Sequence, residues 1–155
     1  MPELKKTKTN RPISRRMFLV AGATTASGVI AWGIFPNAGL AGEALTPPEA
    51  HQKALNGELL LVDIRRPDEW AKTGSGQRAA RLDMRRPDFI EALDLLVEGD
   101  RERVVALNCA RGVRSRRMRQ RLLKAGFVNV IDIPEGMLGS WAGPGWLRRG
   151  LPVTS

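Results

Sequence analysis

The sequence predicts a small α/β domain, a parallel sheet with helices on both faces, and three observations carry that prediction. Short and almost wholly apolar runs recur through residues 45–154, as in strands buried on both sides. Segments with helical apolar spacing alternate with those runs. The intervals between them are short, which favours βα units and a right-handed parallel arrangement over hairpins. Residues 1–41 stand apart from this pattern and divide the chain into an N-terminal segment and one domain.

The N-terminal segment opens with six cations, Lys5, Lys6, Lys8, Arg11, Arg15 and Arg16, against the single acid Glu3. Residues 17–35 (MFLVAGATTASGVIAWGIF) then carry no charged side chain, the pattern of an export signal. Ser14-Arg15-Arg16-Met17-Phe18-Leu19 resembles the S-R-R-x-F-L core of twin-arginine signals, which a dedicated translocase reads as an address. The glycines and serines within 17–35 keep the apolar run mild, as suits that class. Nineteen residues at ~1.5 Å each could also just cross a ~30 Å hydrocarbon core as a helix. The segment is therefore either cleaved, with Ala41 the candidate site, or kept as an inner-membrane tether through 17–35. Both outcomes place the domain in the periplasm.

Within the domain, Thr46-Pro47-Pro48-Glu49 supplies a cap residue, first-turn prolines and an acid three positions on, starting a helix that Gly57 stops. Residues 59–64 (LLLVDI) read as a buried strand, and 73–86 as a loop around the sheet edge. Residues 87–97 show a helical stripe of Phe89, Ile90, Leu93, Leu96 and Val97. Residues 103–108 (RVVALN) form the next strand, 114–125 a helix stopped by Gly126, and 128–133 (VNVIDI) a third strand. His51 is read as an exposed position on the first helix, without a role.

Composition narrows the chemistry. The 155 residues hold one cysteine and one histidine, which excludes an internal disulfide, a multi-cysteine zinc cluster and a multi-histidine metal site. No metal or organic cofactor is expected. The net charge of +9 first suggests nucleic acid, but it resolves into two islands. One is the N-terminal segment. The other is residues 109–124, where Arg111, Arg114, Arg116, Arg117, Arg119, Arg121 and Lys124 face no acid. No nucleic-acid partner is expected.

That second island surrounds Cys109, which the element order places just after an inner strand and before a helix, where open parallel sheets bind ligands. A turn feeding a helix N-terminus aims backbone N–H groups and positive potential at one spot. Gly112 allows a positive φ or a close approach, and Arg111 and Arg114 add permanent charge. A cysteine so placed is expected to have a lowered pKa and to act as a thiolate nucleophile. The bland readings are a small buried hydrophobe for Cys109 and a solvated face for the arginines of the helix.

Four ordered motifs decide between these. Cys109-Ala110-Arg111-Gly112-Val113-Arg114-Ser115 resembles the C-x-x-G-x-R active-site loop of the rhodanese-like (thiosulfate sulfurtransferase) domain family. Leu61 to Trp70 (LVDIRRPDEW) resembles its V-D-[VI]-R-x-P-x-E-[WY] segment. Val130 to Met137 (VIDIPEGM) resembles the strand and glycine turn after the active-site helix, and Trp146 with Gly150-Leu151-Pro152-Val153 its terminal signature. The resemblance implies a single rhodanese-like domain acting as a sulfurtransferase, with Cys109 carrying a persulfide. It implies a small anionic sulfur donor such as thiosulfate, held by residues Ala110, Arg111, Gly112, Val113 and Arg114, and a thiol or cyanide acceptor. Asp63, Arg65 and Ser115 are expected to brace the loop. The alternative is a module of the same fold that binds, carries or senses sulfane sulfur, or docks on a partner, without turnover.

Two differences matter. The family's G-H-I-x-G-A segment is here Gly74-Ser75-Gly76-Gln77-Arg78-Ala79-Ala80, without the histidine, so substrate choice does not carry over. Tyrosine phosphatases use H-C-x5-R, whereas Arg114 follows Cys109 by five positions and Asn108 stands in place of the histidine. That loop is one residue too short to wrap a phosphate, which disfavours phosphatase chemistry.

Overall fold

The computed structural model describes residues 44–155. The twin-arginine-like motif, the apolar run 17–35 and the cleavage position at Ala41 lie outside the described residues. Among those described, no helix is long and apolar enough to cross a membrane.

The chain begins with α1 (Pro47–Leu55), where the Glu49 carboxylate accepts the Thr46 N–H at 2.8 Å and its hydroxyl at 2.6 Å. Strand β1 (Leu60–Asp63) follows, then α2 (Pro67–Thr73), β2 (Ser75–Gly76) and β3 (Ala80–Arg81). Next come α3 (Phe89–Leu96), β4 (Val105–Asn108), α4 (Val113–Lys124) and β5 (Val130–Asp132). A short α5 (Gly145–Arg148) and β6 (Val153–Thr154) close the chain. The four-stranded sheet has the order β3-β1-β4-β5 with all pairs parallel, and β2 with β6 forms a separate antiparallel pair.

Apolar residues fill both faces of the sheet because successive strand residues point to opposite sides. Val62, Val105, Leu107 and Val130 face α3 and α4 together with Phe89, Leu93, Met118 and Leu122. Leu61, Ala106, Ile131 and Ile133 face the other way, against α1, Met137 and Trp146. This is why the strands read as continuous apolar runs with no alternation.

The α/β expectation holds, with local corrections. The stretch 73–86 is not simply loop: it supplies β3, the edge strand of the main sheet, and β2. Both are two residues long, too short to leave a periodic pattern. His51 is not exposed. It is half-buried, 3.1 Å from Gln77 Oε1 and edge-on to the Trp146 ring at 5.5 Å between centroids. A small neighbour makes room for that indole, since a Cβ on Gly76 would stand 2.6 Å from it.

Candidate active site

Strand β4 is an inner strand, and Cys109 is the first residue beyond its carboxyl end. The backbone there is anchored from below. Met137 N–H donates to Cys109 O at 2.8 Å and Leu138 N–H to Ala110 O at 2.9 Å. Two glycines permit this contact. Gly112 has φ +80 and lies so close to the Pro134 carbonyl that any Cβ would collide with it. Gly136, at φ +67, lies beneath Ala110, where a Cβ would stand 2.6 Å from the carbonyl. Gly112 thus serves a close approach of backbone to backbone, while Gly136 came from the sequence only as part of a motif.

Cys109 is 1% exposed and packs within the apolar core under α4. Gly112 N–H donates to Cys109 Sγ at 3.1 Å, and Ser115 Oγ lies 3.4 Å from it. Ser115 also donates to Gly112 O at 3.1 Å, so its hydroxyl ties the loop to the first turn of α4. The amides of Val113 and Arg114 open that helix, whose N-terminus favours negative charge at the same end. Cys109, Gly112, Arg114 and Ser115 are therefore gathered in one place. Arg111 and Val113 are exposed on the outer side of the loop, and Ala110 is half-buried.

Arg114 is not a free cation. It donates to both carboxylate oxygens of Glu69 at 2.7 Å, a bidentate pair of the strong charge-assisted kind. Glu69 also accepts the Arg66 N–H at 3.1 Å, capping α2. One carboxylate thus fixes a helix start and the orientation of the loop's second arginine. In the sequence Glu69 is marked for this task only by its spacing from Pro67 at the start of α2.

The Arg114 guanidinium holds the Glu69 carboxyl far below its usual range, at about 2, with burial opposing and the Arg66 N–H helping. A carboxylate lowered in the folded chain stabilises it fully above the unfolded pKa, and that stability is lost as pH falls through the folded pKa. The window here runs from about 4.5 down to about 2. Glu69→Gln is expected to lower the urea midpoint at neutral pH and to flatten the loss of stability across that window. Parallel pH profiles for the two proteins would refute the coupling.

Asp63 and Arg65 form a second pair, buried at 0% and 1% exposure. Arg65 Nη2 donates to Asp63 Oδ2 at 2.7 Å and to Gly74 O at 2.6 Å, and Nη1 to Thr73 Oγ1 at 2.9 Å. These bonds secure the end of α2, the helix that carries Glu69, and so reach the cysteine loop through Arg114. On β5, burial pushes Asp132 above the usual carboxylate range, against the pull of Ser115, Arg116 and Arg119. Asn108 is fully buried, and neither of its amide atoms finds a partner among the described residues. Of the basic face of α4, Arg119 donates to Val130 O at 2.7 Å, whereas Arg116, Arg117 and Arg121 are exposed.

Comparison with known proteins agrees with this geometry. A model of the family described as "Rhodanese-like domain" matches residues 46–142. The thiosulfate sulfurtransferase GlpE of Glaesserella parasuis is 28% identical over 109 residues, covering 70% of this chain and 90% of that protein. The polysulfide-sulfur transferase homodimer of Wolinella succinogenes superimposes with a TM-score of 0.53 at 24% identity, over 72% of this chain and 77% of that one. A Rhodopseudomonas palustris protein described as a possible tyrosine phosphatase gives 0.53 at 22% identity, over 72% and 84%. At such identities the two solved structures speak for the fold.

Proposed function

The chain belongs to the rhodanese-like domain family, and from that premise we propose that it is a sulfurtransferase working through a persulfide on Cys109. The observation that carries the reading is the ring around Sγ: an amide donor at 3.1 Å, a hydroxyl at 3.4 Å, and an arginine held in place by Glu69. The amide donates to the sulfur, the hydroxyl braces the loop and the guanidinium adds positive field, a setting that favours an anion on sulfur before any ligand arrives. The resemblance of the relative named thiosulfate sulfurtransferase supplies the substrate class.

In the first step the Cys109 thiolate attacks the outer sulfur of thiosulfate. An S–S bond forms to Sγ, the S–S bond of the donor breaks, and sulfite leaves with its electron pair. In the second step a nucleophilic acceptor, cyanide or a thiolate, takes the terminal sulfur and returns Cys109 as thiolate. The amides of residues 110–114 hold the terminal sulfur, and Arg111, exposed at the mouth, attracts the dianionic donor. Arg114 contributes field and shape, with two of its five guanidinium N–H groups committed to Glu69. Asp63 and Arg65 position α2.

The test is intact mass of the chain after treatment with thiosulfate, with cyanide added in a second step. Gain of one sulfur atom, reversed by cyanide, is the expected result. The second reading, a module that carries or senses sulfane sulfur without turnover, rests on the burial of Cys109. It is favoured if sulfur loads but no acceptor removes it, while no adduct with any sulfane donor sinks both.

Location belongs to the same proposal. The motif at Ser14–Leu19 supports twin-arginine export to the periplasm, with or without retention of 17–35 as a tether. Changing Arg15 and Arg16 to lysines is expected to leave the protein in the cytoplasm by fractionation. Unimpaired export of that variant would mean another route.

A further inference from the structure

The surface beside the cysteine loop carries a feature that sulfur loading does not need. Trp141 is 85% exposed, an unusual cost for an indole in water. The backbone that carries it is pinned. Ser140 and Gly143 bond each other in both directions, Ser140 N–H to Gly143 O at 2.9 Å and Gly143 N–H to Ser140 O at 3.2 Å, so Trp141 occupies the tip of a tight turn. Ser140 Oγ then donates to Pro134 O at 2.8 Å, the same carbonyl that crowds Gly112. The turn and the cysteine loop are thereby fixed to one point.

Trp141 and Arg111 together stand between two open clefts. The first, of about 240 Å³, is completed by Val113, Arg116, Arg117 and Pro134. The second, of about 230 Å³, is completed by Leu138, the 139–143 turn and Arg148. Among the described residues, neither cleft is lined by an acid. Val113 at 59% and Leu138 at 38% exposure add apolar surface beside the indole. The result is an apolar ridge on a pinned turn, set among four arginines beside the loop that holds the thiol.

We propose that this ridge is the docking surface for the sulfur acceptor, and that the acceptor is an acidic protein segment presenting a thiol beside an apolar side chain. The inference rests on the sulfurtransferase reading for its chemistry and on the charge and exposure of this surface for its partner. The clefts are shallow and doubled, which suits an extended chain crossing Trp141 better than a small molecule enclosed on all sides. Aromatic and arginine side chains are the residues that anchor protein interfaces. Positive charge around them speeds the encounter with an acidic partner and weakens as salt screens it. Transfer itself is balanced: the acceptor thiolate attacks the terminal sulfur, the Cys109 S–S bond breaks, and the acceptor leaves as the persulfide.

The probes are three twelve-residue peptides of one design, each with one cysteine and one leucine, bearing four glutamates, four glutamines or four lysines. Two measurements are made on the full chain. Binding is followed by anisotropy of labelled peptides in which serine replaces the cysteine, so it is independent of sulfur loading. Transfer is followed by mass after thiosulfate treatment, each rate divided by that of cyanide with the same protein. The glutamate peptide is expected to bind at least tenfold more tightly than the lysine peptide at low salt, with the margin shrinking as salt rises. Trp141→Ala, and separately Arg116→Gln with Arg117→Gln, are expected to weaken its binding and its normalised transfer at least fivefold.

Equal binding of the three peptides, or full retention of binding in both variants, overturns the proposal. Binding to vesicles of anionic phospholipid in place of the glutamate peptide also overturns it and assigns the ridge to a membrane surface. If the peptide binds as expected but Cys109 takes no sulfur, the sulfurtransferase reading fails and the docking surface stands.

Discussion

Cys109→Ser is expected to abolish the thiosulfate-dependent gain of one sulfur atom and to reduce sulfur transfer to cyanide to the uncatalysed background. The chain contains no second cysteine that could take over. A serine hydroxyl at that position is far less ionised than a thiol and forms no persulfide, so the loss is a change of chemistry and not of affinity. Stability is expected to change little, because serine fills a similar volume and keeps within reach of Gly112 N–H and Ser115 Oγ, which now flank Sγ. Intact mass reads the first expectation and a urea melt the second. Residual transfer above background with the serine variant would move the nucleophile elsewhere and remove the basis for the proposed mechanism.

The largest effect on stability is expected from Arg65→Met. Asp63 is 0% exposed and its carboxylate is bound by three of the guanidinium N–H contacts. Removing the cation leaves a buried charge without its partner, which costs roughly 3–5 kcal/mol. Against a typical total of about 5–15 kcal/mol, this brings the domain close to unfolding. The variant also frees Thr73 Oγ1 and the Gly74 carbonyl, so the end of α2 loosens and Glu69 loses its fixed setting. Replacing both residues, Asp63→Leu with Arg65→Met, is expected to restore much of the loss, since neither charge is then stranded. A urea midpoint for Arg65→Met within measurement error of the parent would overturn this, showing that the Asp63 carboxylate finds water once its partner is gone.

Much of the fold was legible because its signals are local. The helix over 47–55 has its cap, prolines and acid in consecutive positions, and β1, β4 and β5 are apolar runs that only a covered parallel strand explains. What failed to show was short or distant. β3 pairs with β1 through two residues, Ala80 and Arg81, and a two-residue strand has no period. The helix α2 hides in a polar stretch with no buried residue, so no stripe marks it. His51 looked like a surface residue because its partners, Gln77 and Trp146, come from remote parts of the chain.

The cysteine loop divides the same way. Its residue types, its place after an inner strand and its spacing were all in the sequence, because adjacency along the chain fixes a turn before a helix. Residue order alone carries the α/β class and the family resemblance, one thiol with glycine and arginines at set intervals, and the separation of the charge into two islands. Packing settles which of those charges remain free. Glu69 reaches Arg114 across 45 positions and removes it from the pool of open cations, while Arg111, Arg116 and Arg117 keep theirs beside Trp141. Pattern along a chain reports what each residue can do. Pairing across it depends on which carboxylates and carbonyls the packed sheet brings within three or so ångströms, and short-range forces act only there.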